Sequence, residues 1–528
     1  ANNNTAVGHA ALTGNTTGAG NTAVGQGSLS ANTTASNNTA VGLDALNTNT
    51  TGDFNIAVGG NALKANVLGD RSVAIGPNAL AAQAPTSNVD MYNVAVGLNA
   101  GAAVTTGVQN TIIGGLAGDV LTDADSNVAI GFAALSSDTL GSKSVAIGTA
   151  TLNNQNFTSA TDSFNTAVGH EAGLAVTTGT QNTFIGGLAG DATTTASNNT
   201  ALGYLALSAN TTGASNVAIG VGAVDSNTTG ANNVGMGVNS LGSNTTASNN
   251  TAVGHASLST ATTAANNTAV GQGSLSATTT GANNTALGRS ALGANTTGAG
   301  NTAVGQGSLS ANTTASNNTA VGLDALVTNT TGTGNVGIGR LALKENTTAD
   351  NNTAVGFNSL VANTTGAGNT AMGSVAGLAV TTGSNNSLFG FGSGDATTTG
   401  GSNVALGAFS LSANTTADNN TAIGRSALAV NTTGTQNVAV GAFAADAITD
   451  ADFNIAIGVN ALGTNTLGSR NVAIGQQALQ TANVTSAADT HNVAVGYQAG
   501  AAVTTGTANT FIGGLAGDSL TTGSNNIM

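Results

Sequence analysis

The chain has 528 residues, of which 40% are hydrophobic but only 3% aromatic and 6% charged, with a formal net charge of −14. Ordinary globular domains carry roughly a quarter charged residues, so this is not their composition, and an acidic chain without a set of stacking aromatics is unsuited to nucleic acid or to an anionic lipid surface. The absence of cysteine excludes a disulfide scaffold or a thiolate metal site, and no apolar run approaches the roughly 20 residues of a membrane helix.

Read from the amino terminus, the sequence repeats one unit. Its core is a "TAVG", "VAIG" or "TFIG" string whose closing glycine falls at Gly8, Gly25, Gly42, Gly59 and Gly76, and continues in the same way to Gly475, Gly496 and Gly513. Thirty such glycines are separated by 26 steps of 17 residues and three of 21, the long steps being 76–97, 148–169 and 475–496. With the glycine as position 0, the unit reads N-T-A-V-G-x-x-[AS]-L-x-x-N-T-T-[GA]-x-x. Residue 1 lies inside a unit and the final "NNIM" opens another, which suggests a portion of a longer protein, incomplete at both ends.

A fixed short period signals a solenoid in which each unit shelters its neighbours. Helical repeats need about 30 residues and few Gly, Thr or Asn in their interiors, whereas this unit has 17 residues and is full of all three. The expected fold is therefore all-β: a single parallel β-solenoid, or β-roll, spanning 1–528, with one coil per repeat. At about 4.8 Å per coil this would make a rod on the order of 140 Å long. Asn-Thr-Thr-Gly is expected to turn through left-handed backbone angles. Alternation puts Thr22 and Val24 on one face and Ala23 on the other, and we expect Val24 and its equivalents at −1, with the leucines at +4 (Leu12, Leu29, Leu46), to point inward. The small alanine face would then admit a second sheet or a partner chain. Like charges repeated at the coil spacing would repel, so Asn and Thr ladders should replace them.

A higher order exists. Each long coil follows "LGDRSVAIG", "LGSKSVAIG" or "LGSRNVAIG" and precedes "VTTG" and "IGGLAGD", in modules near 68–119, 140–191 and 467–518. Pro77 and Pro85, the only prolines, belong to the first long coil and suggest an outward loop. Arg289, Arg340 and Arg425 directly follow their glycines, Lys64 and Lys344 sit at +5, and Arg71, Lys143 and Arg470 at −5.

The strings "SNVAIG" (126–131 and 215–220), "RSVAIG" (71–76) and "KSVAIG" (143–148) resemble the head repeats of trimeric autotransporter adhesins, and similar strings occur in bacteriophage tail fibres. The resemblance implies a left-handed β-roll with three chains side by side, displayed outside a cell or on a virion. The period here is about three residues longer than in those heads, and no heptad stalk is visible.

Chemistry is sparse. His9, His170 and His255 share position +1 many coils apart, and His491 lies elsewhere, so no metal or nucleophile set converges within one chain. "GGLAGD" at Gly114–Asp119, Gly186–Asp191 and Gly513–Asp518 lacks calcium-repeat spacing, and its glycine in place of the +4 leucine suggests a backbone rearrangement. Asp123 with Asp125, and Asp450 with Asp452, form local acid pairs of the kind glycoside hydrolysis needs, but neither has a basic or aromatic sugar platform nearby. Sequons such as Asn15-Thr16-Thr17 and Asn32-Thr33-Thr34 are explained by the ladders. We therefore expect no enzyme, cofactor or metal, but a homotrimeric extracellular fibre that serves as spacer and surface attachment, with an ice-binding or glycan-binding solenoid as the alternative. Ice binding would call for a regular T-x-T column. The long coils carry the most individual side chains, and Tyr92, Phe157, Phe164 and His491 are the candidate contacts for a host-cell surface or glycan receptor.

Overall fold

The computed structural model of the chain describes residues 3–528, which fall into two compact units, one ending at Asn266 and the other beginning at Asn267. Among the described residues every regular element is a β-strand. Fifteen three-residue strands recur in each unit, from Thr5–Val7 to Thr251–Val253 in the first and from Thr268–Val270 to Thr510–Ile512 in the second. Within each unit a strand pairs in parallel with its successor position for position, so that Thr302, Ala303 and Val304 lie beside Thr319, Ala320 and Val321. The long coils keep this register, Val73–Ile75 pairing with Val94–Val96. The fold is a parallel β-solenoid of about 30 turns with coils of 17 residues, as the period implies.

Three residues cannot hold a strand alone; the stack does it on every side. Besides the strand ladder, the Leu29 N–H donates to the Ala45 carbonyl at 3.0 Å, and the Thr33 N–H to the Thr50 carbonyl at 3.1 Å. The closing glycine makes the tight corner after the strand. Gly305 has φ +130°, and a Cβ there would lie 2.5 Å from the carbonyl oxygen of Gly322.

The alternation within the strand is as expected, but the faces are reversed. Ala23, Ala40, Ala303 and Ala320 are fully buried inside their own coil, while the Val24, Val41, Val304 and Val321 side chains face outward and are partly exposed. The interior is too narrow for a branched side chain at −2 because the +4 leucine, buried as at Leu29, Leu46 and Leu309, already fills it. The alanine face is thus not a second surface for a partner.

Two asparagine ladders complete the interior. At −4, the Asn301 side-chain oxygen accepts the Asn318 backbone N–H at 3.0 Å, and its amide donates to the Ala315 carbonyl at 2.8 Å. At +7, the Asn312 amide donates to the Asn295 side-chain oxygen at 2.9 Å and to the Ala315 carbonyl at 3.0 Å. Ala261, Val380 and Ile448 interrupt this second ladder, and the amide oxygen one coil before each, on Asn244, Asn363 and Asn431, is buried without a partner.

Left-handed backbone occurs at +2, +4 and −5, as at Asp44 (φ 53°), Leu46 (φ 49°) and Asn37 (φ 60°), and not in the Asn-Thr-Thr-Gly segment where it was expected. Glycine at +4 therefore rearranges nothing, for Gly190 at φ +58° keeps the leucine's backbone. It instead makes room. Phe184 stands where other coils have alanine, and a Cβ on Gly173 or Gly190 would meet its ring at 2.9 or 2.5 Å. Ile112 between Gly101 and Gly118, Leu388 between Gly377 and Gly394, and Phe511 between Gly500 and Gly517 repeat this exchange of one large plug for two leucines.

Candidate functional site

The outward strand face is the most extensive apolar feature of each unit. All positions at −1 are Val, Ile, Leu, Met or Phe, and many, such as Ile75, Leu287, Ile338, Met372 and Leu406, are more than a third exposed. Position −3 beside it alternates irregularly between Thr and Val or Ile, with Ser387 in one coil. A monomeric soluble protein rarely leaves so long an apolar stripe uncovered.

The long coils bring together charges that look scattered in the sequence. Their extra residues extend from the corner after +7, where Thr86–Asp90 is exposed and Pro85 is buried at the base. Two residues of each pair with the preceding coil: Val89–Asp90 with Gly69–Asp70, Thr161–Asp162 with Gly141–Ser142, and Ala488–Asp489 with Gly468–Ser469. The acid thus placed binds the −5 cation: Asp90 pairs with Arg71, Asp162 with Lys143 at 2.5 Å, and Asp489 with Arg470 at 3.0 Å. Asp90 also holds the Arg71 guanidinium above its ordinary pKa, through its hydrogen bond and its charge.

Three of the four candidate contacts occupy equivalent places in these clusters. Tyr92, Phe164 and His491 all sit at −5 of a long coil, each with φ near +50°. The Arg71 guanidinium lies 5.6 Å from the Phe54 ring centre and 5.9 Å from that of Tyr92. Lys143 lies 5.3 Å from Phe164, and Arg470 4.6 Å from Phe453. Phe157 is different: it is only 5% exposed, packed beneath the long coil beside Gly141, and offers no surface. The Phe54, Tyr92 and Phe164 rings are half-exposed, but each lends a face to a cation already neutralised by an acid, so the clusters chiefly pin the long coils.

The acid pairs cap neighbouring coils. Asp123 bonds the Thr106 hydroxyl, and Asp125 accepts the Val108 N–H at 2.8 Å. Asp450 bonds the Thr433 hydroxyl, and Asp452 accepts the Thr435 N–H at 2.6 Å. Asp138 is a genuinely buried carboxyl, standing in the +7 ladder where Asn is usual. It accepts from Gln155 at 2.7 Å, Gly141 at 3.0 Å and Phe157 at 3.2 Å. Burial pushes its pKa up, and these hydrogen bonds oppose the shift. A shallow polar notch opens where Gly242 interrupts the +5 column, lined by Asp225, Ser226, Asn239, Ser243 and Ser259. Of the sequons, Asn32 lies wholly inside the coil.

Stacking of the coils brings together a second aromatic group. Phe357 and Phe391 follow their glycines directly, Phe409 and Phe443 come one position later, and Arg340 and Arg425 stand in the Phe357 column. The signal was available, since those arginines share position +1 with Phe132, Phe357 and Phe391, three of the twelve phenylalanines. No helix among the described residues is long and apolar enough to cross a membrane, and no group of three metal-ligating side chains converges among them. No family model and no curated protein matches the chain.

Proposed function

We propose that the chain is the repetitive shaft or head of an extracellular fibre, displayed on a cell or virion surface, in which three copies lie side by side and act as spacer and attachment. The outward apolar stripe carries this reading. Each unit presents fifteen −1 side chains flanked by fifteen at −3, which matches the roughly 20–30 residues a side of a stable protein interface. A partner must match the stripe's axial repeat over many coils, and another copy of the same chain in the same direction does so at every coil. Closed rotational symmetry then covers the stripe on each copy. Three copies, not two, is what the likeness to trimeric adhesin heads implies. The copies would meet through the −1 residues, since alanine lies inside the coil.

The test is the mass of the particle in solution for the native chain and for a chain carrying Val304→Asp and Val321→Asp. Both residues are outside the coil core, so the variant keeps its β-sheet circular dichroism while its carboxylates oppose association. A native trimer that falls to monomer supports the proposal; a native monomer with full β-structure removes it.

A further inference from the structure

We infer that a ridge in the second unit, running from Arg340 to Phe443, binds an acidic polysaccharide laid along the coil axis. This deepens the attachment role proposed above but uses positions +1 and +2, not the −1 and −3 face assigned to association. In coil order the ridge presents Arg340, Phe357, Ser374, Phe391, Phe409, Arg425 and Phe443. Four of the twelve phenylalanines of the chain, Phe357, Phe391, Phe409 and Phe443, stand on it, and Phe357, Phe391 and Phe409 are 44–51% exposed.

The side chains hold one another in place. Arg340 lies 5.7 Å from the Phe357 ring centre and Arg425 5.5 Å from that of Phe443. Phe391 and Phe409 meet edge to face, 5.2 Å between centres and 82° between planes. Neither arginine has an acidic partner, in contrast to Arg71, Lys143 and Arg470. Asp324, one coil before Arg340 at +2, is the nearest acid along these columns and makes no ion pair with it. Position +1 carries Arg289, Arg340 and Arg425 and none of the 22 acids of a chain whose net charge is −14. Exposed guanidiniums among aromatic rings make a binding surface of high energetic density, and without an internal acid their fork of donors is left for carboxylate or sulfate.

The shape selects the partner. Between the arginines lie five coil steps, about 24 Å at the strand spacing, and the surface is a ridge, so the ligand is extended. A peptide would bind by adding main-chain hydrogen bonds to a sheet, but the ridge's carbonyls are occupied: those of Arg340, Phe357, Ser374, Phe391 and Arg425 accept the N–H groups of Asn358, Val375, Gly392, Phe409 and Phe443. Only side chains are offered. Rings for the C–H faces of sugars and guanidiniums for acid groups together suit an acidic polysaccharide.

The experiment measures binding of the full chain, at low and at physiological salt, to immobilised polygalacturonate and dextran sulfate, with neutral dextran and poly-glutamate as comparisons. Expected is binding to one or both acidic polysaccharides that weakens with salt. It should fall at least tenfold in Arg340→Gln with Arg425→Gln and in Phe391→Ser with Phe409→Ser, and stay unchanged in Arg71→Gln. Circular dichroism shows that each variant is folded. Absence of binding, binding insensitive to the ridge variants, or equal binding to neutral dextran overturns the inference, and equal retention of poly-glutamate overturns the polysaccharide as partner. Particle mass, measured in parallel, separates this failure from failure of the trimer.

Discussion

At the residue scale, the interior asparagines are the least replaceable side chains. Asn301 satisfies the Ala315 carbonyl of its own repeat and the N–H of Asn318 in the next, neither of which can reach water. Asn301→Ala should cost about 3 kcal/mol, since each stranded polar group costs about 1–3 kcal/mol. Thr302→Ala, one residue on and facing outward, should stay within about 0.5 kcal/mol; urea unfolding of the two variants checks the difference. Asp138 yields a prediction of opposite sign. Its pKa is raised in the folded chain, so the folded state holds the proton more tightly than the unfolded one. Its contribution to stability is then fully present below the ordinary carboxyl value near 3.8 and is lost as pH rises through the higher folded value. Asp138→Asn should therefore raise the melting temperature at pH 7 and change it little at pH 3.

At the scale of the coil, the plugs test whether packing is governed by volume. Phe184→Ala should cost about 3–5 kcal/mol as a large-to-small change in a closed core. Adding Gly173→Leu and Gly190→Leu rebuilds the ordinary alanine and leucine arrangement, and should restore most of the loss because leucine elsewhere adopts the same left-handed backbone, as at Leu207 (φ 58°). Gly190→Leu alone, facing the Phe184 ring, should be strongly destabilising. These three melting temperatures decide the matter, and simple additivity would contradict the packing account.

Much of the coil was legible in the sequence. The glycine period fixes the register, and the +4 leucines were placed inside correctly. What periodicity leaves open is which of two alternating faces is inward. Hydrophobicity favours valine over alanine, but space decides otherwise: leucine and two asparagine ladders leave room only for a methyl group at Ala303. Likewise, Tyr92, Phe164 and His491 were recognisable as a set because they share a position, whereas burial of Phe157 depends on how the long coil folds back over Gly141. The ridge from Arg340 to Phe443 is less legible because its members are 16 to 18 residues apart and meet only when the coils are stacked.

At the scale of the whole molecule, charge and surface pattern govern behaviour. Burial raises the pKa of Asp119, Asp191, Asp225, Asp395 and Asp446 as it does that of Asp138. The same sign therefore applies at several sites, and acidification also reduces a net charge of −14. The melting temperature should rise as pH falls from 7.5 toward 4.5, opposite to ordinary acid destabilisation, and a scan across that range checks it. The outward strand face does carry threonine, but Val or Ile replaces it at −3 in many coils, as at Val217, Val234 and Val336. A continuous hydroxyl array is absent, and a thermal-hysteresis assay should read zero.

The central claim is that valine and its equivalents face outward and meet identical chains, with alanine enclosed. Mass photometry at nanomolar concentration tests it most directly. The account predicts particles of three times the 50.1 kDa chain mass, with no monomer population. Stable, fully β-structured particles of the single-chain mass would contradict it.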